Sequence, residues 1–127
     1  MDKKRVLVID DDPELQHLVR ILLTRNNMDV MAAANVSAAV KVLATPPLPD
    51  LILLDLMLPD QNGISFLRQM RARNMFDGVP VIVLSALVDP QQIREALDAG
   101  ADRYLTKPYI ANNLVSYVLD VLSSGRR

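Results

Sequence analysis

Acidic residues stand directly after two of the most hydrophobic stretches of this 127-residue chain. Asp10, Asp11 and Asp12 follow the aliphatic residues 6–9, and Asp55 follows a second aliphatic run. Because burying an unpaired carboxylate is costly, these residues are expected at strand ends, close to partners. Crowded carboxylates stay ionised mainly when they share a cation. A ligand set made only of oxygen favours a hard ion such as Mg²⁺ or Mn²⁺.

A hydroxyl and an amine follow two further hydrophobic stretches. Ser85 ends the run at residues 81–84, and Lys107 comes soon after residues 103–105. A carboxylate can accept a phosphoryl group as a nucleophile, and the three oxygens of that group need positive and hydrogen-bonding neighbours. Lys107 would supply a flexible charge and Ser85 a hydroxyl. These residue types together indicate phosphoryl chemistry assisted by a divalent cation.

Each of these residues also has an ordinary structural interpretation. Asp55 alone is typical of a strand-end aspartate that caps a turn, and Ser85 alone of a turn residue. Asp12 is expected to be a helix N-cap, and Lys107 alone would be a solvated surface amine. Two more polar residues are interpreted as ordinary turn residues: Asp60 and Asn62. The functional hypothesis therefore depends on the cluster and not on any single member.

Short aliphatic runs alternate with segments of helical spacing five times along the chain. The runs at residues 6–9, 28–33, 51–54, 81–84 and 103–105 predict strands. Right-handed, helix-length connections between them give a doubly wound α/β fold, with a parallel sheet and helices on both faces. In such a sheet the strands end on one shared edge, which would bring the acidic residues, the hydroxyl and the amine into one crevice.

The chemistry of single residues marks where the helices begin and end. Asp12 and Asn35 are suited to cap the first and second helices, and Asp89-Pro90 is expected to start the fourth. The third helix follows Gly63, and Gly100 is suited to close the fourth. The apolar residues of each helix recur at a spacing that predicts one buried face.

Composition limits the kind of molecule that this chain can form. Half of the residues are hydrophobic and the formal net charge is −1, which predicts one packed domain over residues 1–127 with a core at about 4–123. Residues 123–127 are expected to be a frayed tail or the stub of a linker. The sequence has no basic stripe, which predicts that the chain does not bind nucleic acid. It has no apolar stretch long enough to cross a bilayer, which predicts that it does not enter a membrane. The lack of cysteine fits a soluble, cytoplasmic protein.

Four sequence motifs stand in a fixed order along the chain. They are Val8-Ile9-Asp10-Asp11-Asp12-Pro13, Leu53-Leu54-Asp55-Leu56-Met57-Leu58-Pro59 with Gly63, Val83-Leu84-Ser85-Ala86, and Gly100-Ala101-Asp102-Arg103-Tyr104-Leu105-Thr106-Lys107-Pro108-Tyr109. Together they resemble the receiver domain of two-component response regulators. The resemblance covers roughly residues 4–123.

The resemblance implies a fold, a reaction and a metal site. The implied fold is flavodoxin-like (CheY-like), with strand order 2-1-3-4-5. Asp55 would accept a phosphoryl group from a phosphohistidine on a sensor histidine kinase or a phosphotransfer protein. Asp11, Asp55 and the Met57 backbone carbonyl would ligate Mg²⁺ directly, with Asp10 acting through water. Ser85 and Lys107 would contact the phosphoryl oxygens.

The resemblance also implies a conformational switch rather than an enzyme with a turnover substrate. Tyr104 matches an aromatic residue that packs inward when Ser85 moves toward the phosphate. The signalling surface would be helix four, strand five and helix five, which is also the candidate surface for a homodimer. The kinase, the output and the oligomeric state are left open by the sequence.

Two departures from the family pattern bear on mechanism. Met57 and Leu87 are apolar at positions that are often polar in members that lose phosphate quickly, which predicts a long-lived acyl phosphate. Residues 112–124 contain no Lys or Arg. The chain is therefore not expected to form the dimer in which basic residues of helix five pair across the interface.

Three other functions share part of this pattern. A phosphatase of the haloacid dehalogenase type uses an Asp-x-Asp pair, which Asp10 and Asp12 match in spacing, but 127 residues leave no room for its cap. A flavin carrier needs a hydroxyl- and glycine-rich loop after the first strand, where this chain has three acids. A receiver that works by binding alone is the third alternative, and the complete set of site residues weighs against it.

Overall fold

Five strands alternate with five helices in a computed structural model that describes residues 3–86, 89–107 and 110–126. The strands are β1 (Lys4–Ile9), β2 (Met28–Ala33), β3 (Leu51–Asp55), β4 (Val81–Ser85) and β5 (Arg103–Thr106). The helices are α1 (Pro13–Thr24), α2 (Val36–Leu43), α3 (Gly63–Arg71), α4 (Pro90–Ala99) and α5 (Ile110–Ser124), with a 3-10 helix at Asn74–Phe76. The predicted alternation of elements is confirmed.

The strands form one parallel sheet in the order β2-β1-β3-β4-β5, as predicted. The register pairs Ile9 with Leu54 and Asp55 with Leu84, so β3 ends one residue beyond the end of β1, and β4 ends one residue beyond the end of β3. The carboxyl-terminal ends of the strands therefore form one edge. Among the described residues, no helix has both the length and the apolar character to cross a bilayer.

The core has two layers because the sheet is covered on both faces. Along β3, Leu51 and Leu53 pack into one apolar cluster and Ile52 and Leu54 into the other. The first cluster includes the buried faces of α1 and α5, and the second those of α2, α3 and α4. Every residue of β3 and of β4 is buried, which explains why both read as continuous hydrophobic runs.

Side-chain caps fix the starts of four helices. Asp12, Asn35 and Asp89 accept hydrogen bonds from backbone N–H groups at the starts of α1, α2 and α4, which confirms the predicted caps Asp12 and Asn35. Asn62 caps α3 in the same way. Asp60 accepts hydrogen bonds from two backbone N–H groups at the start of α2, at 2.9 and 3.0 Å. Asp60 and Asn62 lie in the loop between β3 and α3, as expected of turn residues, and each also caps a helix.

Contacts with the domain continue into the segment that the sequence predicted to be a frayed tail or a linker stub. Helix α5 continues to Ser124, and Gly125 donates a hydrogen bond from its N–H to the Val121 carbonyl at 2.8 Å. Arg126 makes several hydrogen bonds to the body of the domain. Residues 123–126 therefore belong to the packed structure.

Candidate functional site

Four strand ends bring their polar residues to one edge of the sheet. Asp10 follows β1, Asp55 and Ser85 are the last residues of β3 and β4, and Lys107 follows β5. The ammonium nitrogen of Lys107 lies 3.1 Å from Asp10 Oδ2 and 3.3 Å from Asp55 Oδ2. The structure thus brings together Asp10, Asp55 and Lys107, which are far apart along the chain.

Asp10 is held in place by backbone contacts on both sides. Its N–H donates to the Ala33 carbonyl at 3.0 Å, and its Oδ1 accepts from the Asp12 N–H at 2.9 Å. The Gln16 side-chain amide donates to the Asp10 carbonyl. Sequence reasoning missed Gln16, because a polar residue in the first turn of a helix gives no sign of which rim it faces.

One oxygen of this site is buried without a hydrogen bond. Asp10 Oδ2 has no hydrogen-bond partner among the described residues and is paired only by charge with Lys107 Nζ, 3.1 Å away. Asp10 itself is fully buried. A buried acceptor of this kind normally has a partner, so its environment is compatible with an additional cation.

Asp55 is almost fully buried, at 3% exposure. Its Oδ1 accepts a hydrogen bond from the Met57 N–H at 3.2 Å, and its Oδ2 faces Lys107. The Met57 side chain lies at the surface, with 66% of its area exposed. The Asp55 carboxylate is thus held by the Met57 N–H of the turn that follows β3 and by the Lys107 ammonium group.

The loop between β3 and α3 depends on close packing at Gly63. The Gly63 N–H donates to the Leu56 carbonyl at 2.8 Å, and Met57 forms an isolated antiparallel bridge with Asn62. A Cβ at Gly63 would lie 2.6 Å from the Asp55 carbonyl oxygen and 2.6 Å from Leu56 Cα. Glycine is therefore needed because the backbone of the loop returns directly onto the end of β3.

Three carboxylates of this edge fit a divalent cation. One oxygen each from Asp10, Asp11 and Asp55 lies within 4.8 Å of the others, with Asp11 exposed and the other two buried. The three carry more negative charge than Lys107 alone neutralises. Oxygen-only ligands with excess negative charge suit Mg²⁺ or Mn²⁺, and the buried, unbonded Asp10 Oδ2 supports that fit.

The pKa values of two site residues show the same excess of negative charge. Burial raises the pKa of Asp10, and the charge of Asp55 adds to this effect, while the Asp12 N–H and Lys107 act in the opposite direction. Burial alone would lower the pKa of Lys107, but the charges of Asp10 and Asp55 outweigh it and raise that pKa. Lys107 therefore stays charged, while burial disfavours the ionised form of Asp10.

The two predicted switch residues lie on adjacent strands. Ser85 is buried at the end of β4, where it is in register with Thr106 of β5. Tyr104 is half-buried and packs against the apolar cluster on the side of α2, α3 and α4. Leu87, named for its apolar character near the site, lies outside the described residues.

Comparison with known proteins gives one consistent result. The family model described as "Response regulator receiver domain" matches residues 6–119. The transcriptional regulatory protein KdpE of Mycobacterium tuberculosis is 45% identical over 104 residues, which are 82% of this chain and 44% of that protein. The phosphate regulon transcriptional regulatory protein PhoB of Escherichia coli is 34% identical over 119 residues, which are 94% of this chain and 52% of that protein.

A solved structure is similar over nearly its full length. The receiver domain of the Francisella response regulator 1452 has a TM-score of 0.87 and 33% sequence identity, and the match covers 96% of this chain and 98% of that one. The chain spans about half the length of the curated relatives that it matches. With its sheet order and the acidic edge described above, the chain belongs to the receiver domain family of two-component response regulators.

Proposed function

We propose that this receiver domain accepts a phosphoryl group on Asp55 from a phosphohistidine of a sensor histidine kinase or a phosphotransfer protein. The observation that carries the proposal is the position of Asp55 at the end of β3. It lies 3.3 Å from the Lys107 ammonium group and beside two further carboxylates. Membership of the receiver family supports the same assignment.

The transfer needs a nucleophile and positive charge around the phosphoryl oxygens. A carboxylate oxygen of Asp55 forms a bond to phosphorus while the phosphorus–nitrogen bond of the phosphohistidine breaks, and its electron pair returns to the imidazole ring. Lys107 would hold the negative oxygens of the transferred group, and the Ser85 hydroxyl would donate to one of them. Hydrolysis by water later releases inorganic phosphate and regenerates the carboxylate.

The acidic edge would hold a divalent cation during this reaction. Asp11, Asp55 and the backbone carbonyl of Met57 would bind Mg²⁺ directly, and Asp10 would act through water. When bound, the ion supplies positive charge that offsets both the carboxylates and the incoming phosphoryl oxygens. The fit of the three carboxylates within 4.8 Å supports this role.

Phosphorylation would act as a switch and not as a step of a turnover cycle. Ser85 would move toward the phosphoryl group and Tyr104 would pack inward, which would change the surface formed by α4, β5 and α5. This surface would bind the output segment, a partner or a second copy of the chain. On this surface, Arg103 and Asp120 of one chain pair with each other at 3.2 Å. A dimer held by charge pairs between chains would have to form beside this pair or replace it.

The proposal is tested by phosphoryl uptake from a small donor. Wild-type protein is incubated with acetyl phosphate in the presence of Mg²⁺ or of EDTA, and its intact mass is measured. We expect the mass of one phosphoryl group to be added with Mg²⁺ only, and not in the Asp55→Asn variant. Asp98→Asn, which removes an exposed carboxylate of α4, is the matched control. Equal uptake by the Asp55→Asn protein would overturn the proposal.

A further inference from the structure

A second charged network lies at the opposite, amino-terminal edge of the sheet. Its centre is Asp102, which immediately precedes β5 and is 2% exposed. The Asp102 carboxylate accepts hydrogen bonds from the Val81 N–H at 2.9 Å, from Arg71 Nη2 at 3.2 Å and from Arg126 Nε at 3.0 Å. The start of β4, the end of α3 and the segment after α5 therefore meet at one buried carboxylate.

Arg126 uses its whole guanidinium group in this network. Besides the bond from Nε to Asp102, Nη1 donates to the Asp77 carbonyl at 2.9 Å and Nη2 donates to the Gly100 carbonyl at 3.2 Å. The planar fork of arginine allows three separate acceptors to be bound at once, and lysine has no such geometry. The contacts reach segments that are 24 to 49 residues away along the chain.

The chain is turned toward this network by Gly125. Its φ of +73° is a left-handed conformation, which favours glycine, and its N–H donates to the Val121 carbonyl at 2.8 Å. The glycine ends α5 and directs the following residue back over the amino-terminal edge. Gly125 and Arg126 thus act as one unit, a turn followed by a contact residue.

A neighbouring ion pair ties α5 to the same part of β5 but is more exposed. Arg103 Nη2 lies 3.2 Å from Asp120 Oδ2, and the Asp120 side chain is 62% exposed. Exposed pairs of this kind contribute little to stability. In contrast, the Asp102 side chain paired with Arg126 has no exposed surface. The contact is part-buried, since the Arg126 side chain is 30% exposed, but its buried carboxylate makes it the stronger candidate to hold the segment after α5.

We propose that Arg126 is a positioning residue that fixes the direction in which the chain leaves the domain. Any chain that follows Arg126 would start beside Asp77 and the beginning of β5, at the edge opposite the acidic cluster. A fixed starting point restricts the volume that a following segment can explore and raises its effective concentration near that edge. This inference goes beyond phosphoryl transfer and does not depend on it.

Backbone dynamics of the unphosphorylated 127-residue protein provide the test. Residues near a chain end are mobile unless they are tied down, so ¹⁵N relaxation should separate the two cases clearly. We expect order parameters at Gly125 and Arg126 close to the rigid value of about 0.85 in the wild type. In the Arg126→Gln protein they should fall below about 0.6, with residues 110–121 unchanged.

Two further variants separate the guanidinium contacts from general effects of charge. Arg103→Gln removes the exposed ion pair and leaves Arg126 in place, so Gly125 should stay ordered. Arg126→Lys keeps the charge without the fork, so Gly125 should become mobile as in the glutamine variant. Free-end mobility at Gly125 in the wild type, unchanged order after Arg126→Gln, or full order in Arg126→Lys would each overturn the proposal.

Discussion

We expect the side chain of Met57 to control the access of water to Asp55. Its N–H is bonded to Asp55 Oδ1, while its apolar side chain stands exposed beside the site. An apolar group there neither orients nor activates an attacking water. We expect Met57→Gln to shorten the phosphoryl lifetime about tenfold, which corresponds to ~1.4 kcal/mol in the barrier. The decay of the phosphorylated intact mass after removal of the donor measures it.

A second exposed methionine provides the control for that measurement. Met75 is 54% exposed and lies in the 3-10 helix at Asn74–Phe76, not at the acidic edge. Met75→Gln should leave the decay rate at the wild-type value. The account of Met57 fails if both variants decay at the same rate.

The ionised form of Asp10 destabilises the folded protein. Because its pKa is raised by burial, the folded protein binds this proton more tightly than the unfolded chain does. The contribution of Asp10 to stability therefore falls as pH rises from its ordinary pKa through the raised one. In EDTA at neutral pH we expect Asp10→Asn to raise the melting temperature, on the order of a few degrees.

Magnesium gives the complementary result for the same variant. A ligand that binds only the folded state stabilises it by mass action, so Mg²⁺ should raise the wild-type melting temperature and raise that of Asp10→Asn by less. Thermal unfolding with and without Mg²⁺ measures both effects, with Asp98→Asn as the surface control. A variant that melts below the wild type in EDTA would show that the ionised Asp10 is stabilising.

At the scale of elements, the β3–α3 loop shows how tightly the site is built. A methyl group at Gly63 would meet backbone atoms of Asp55 and Leu56, which cannot move without displacing the end of β3. We expect Gly63→Ala to cost about 1–3 kcal/mol in unfolding free energy and to reduce phosphoryl uptake. Chemical denaturation and intact mass are the two measurements.

Gly78 provides the matched control in the same molecule. It has open space where a Cβ would lie and no left-handed backbone conformation. Gly78→Ala should therefore leave stability and phosphoryl uptake close to the wild-type values. If the two alanine variants were equally stable, the packing argument for Gly63 would be wrong.

Asp60 links the same loop to the start of α2. Hydrogen bonds from the Val36 and Ser37 N–H groups lower the pKa of Asp60. Its stabilising contribution is therefore present above the ordinary pKa and is lost as pH falls through the lowered one. Asp60→Ala should be less stable than the wild type at neutral pH, with a difference that shrinks in acid.

Chemical denaturation of the wild type and of Asp60→Ala, from neutral pH into acid, measures the contribution of Asp60 to stability. Asp60→Asn keeps one acceptor oxygen without the charge, so it should lose less stability than alanine at neutral pH. A difference between wild type and Asp60→Ala that stays constant into acid would contradict the proposed cap.

At the scale of the whole molecule, much of the fold follows from local chemistry. The continuous aliphatic runs of β3 and β4 predict strands buried on both faces, and parallel pairing then places Asp55 and Ser85 on one edge. The caps Asp12 and Asn35 were predictable because a cap needs only a few consecutive residues. The strand order came from the family resemblance, since spacing alone does not specify it.

Contacts between distant segments were not predictable from spacing. Asp60 caps a helix that begins 24 residues earlier in the chain, and Arg126 binds a carboxylate 24 residues before it. Such contacts depend on how loops and helix ends pack in three dimensions, which no local pattern encodes. At the acidic edge, the types of the residues were predictable, but the unbonded oxygen of Asp10 and the close packing at Gly63 were not.

The identity of the carboxylate that receives the phosphoryl group is the most direct test of the proposed function. Protein labelled with acetyl phosphate and Mg²⁺ is treated with borohydride, which reduces an aspartyl phosphate to homoserine, and its peptides are sequenced by mass spectrometry. We predict homoserine at position 55 alone. Homoserine at position 10 or 11, or labelled protein that yields none, would contradict the assignment of Asp55.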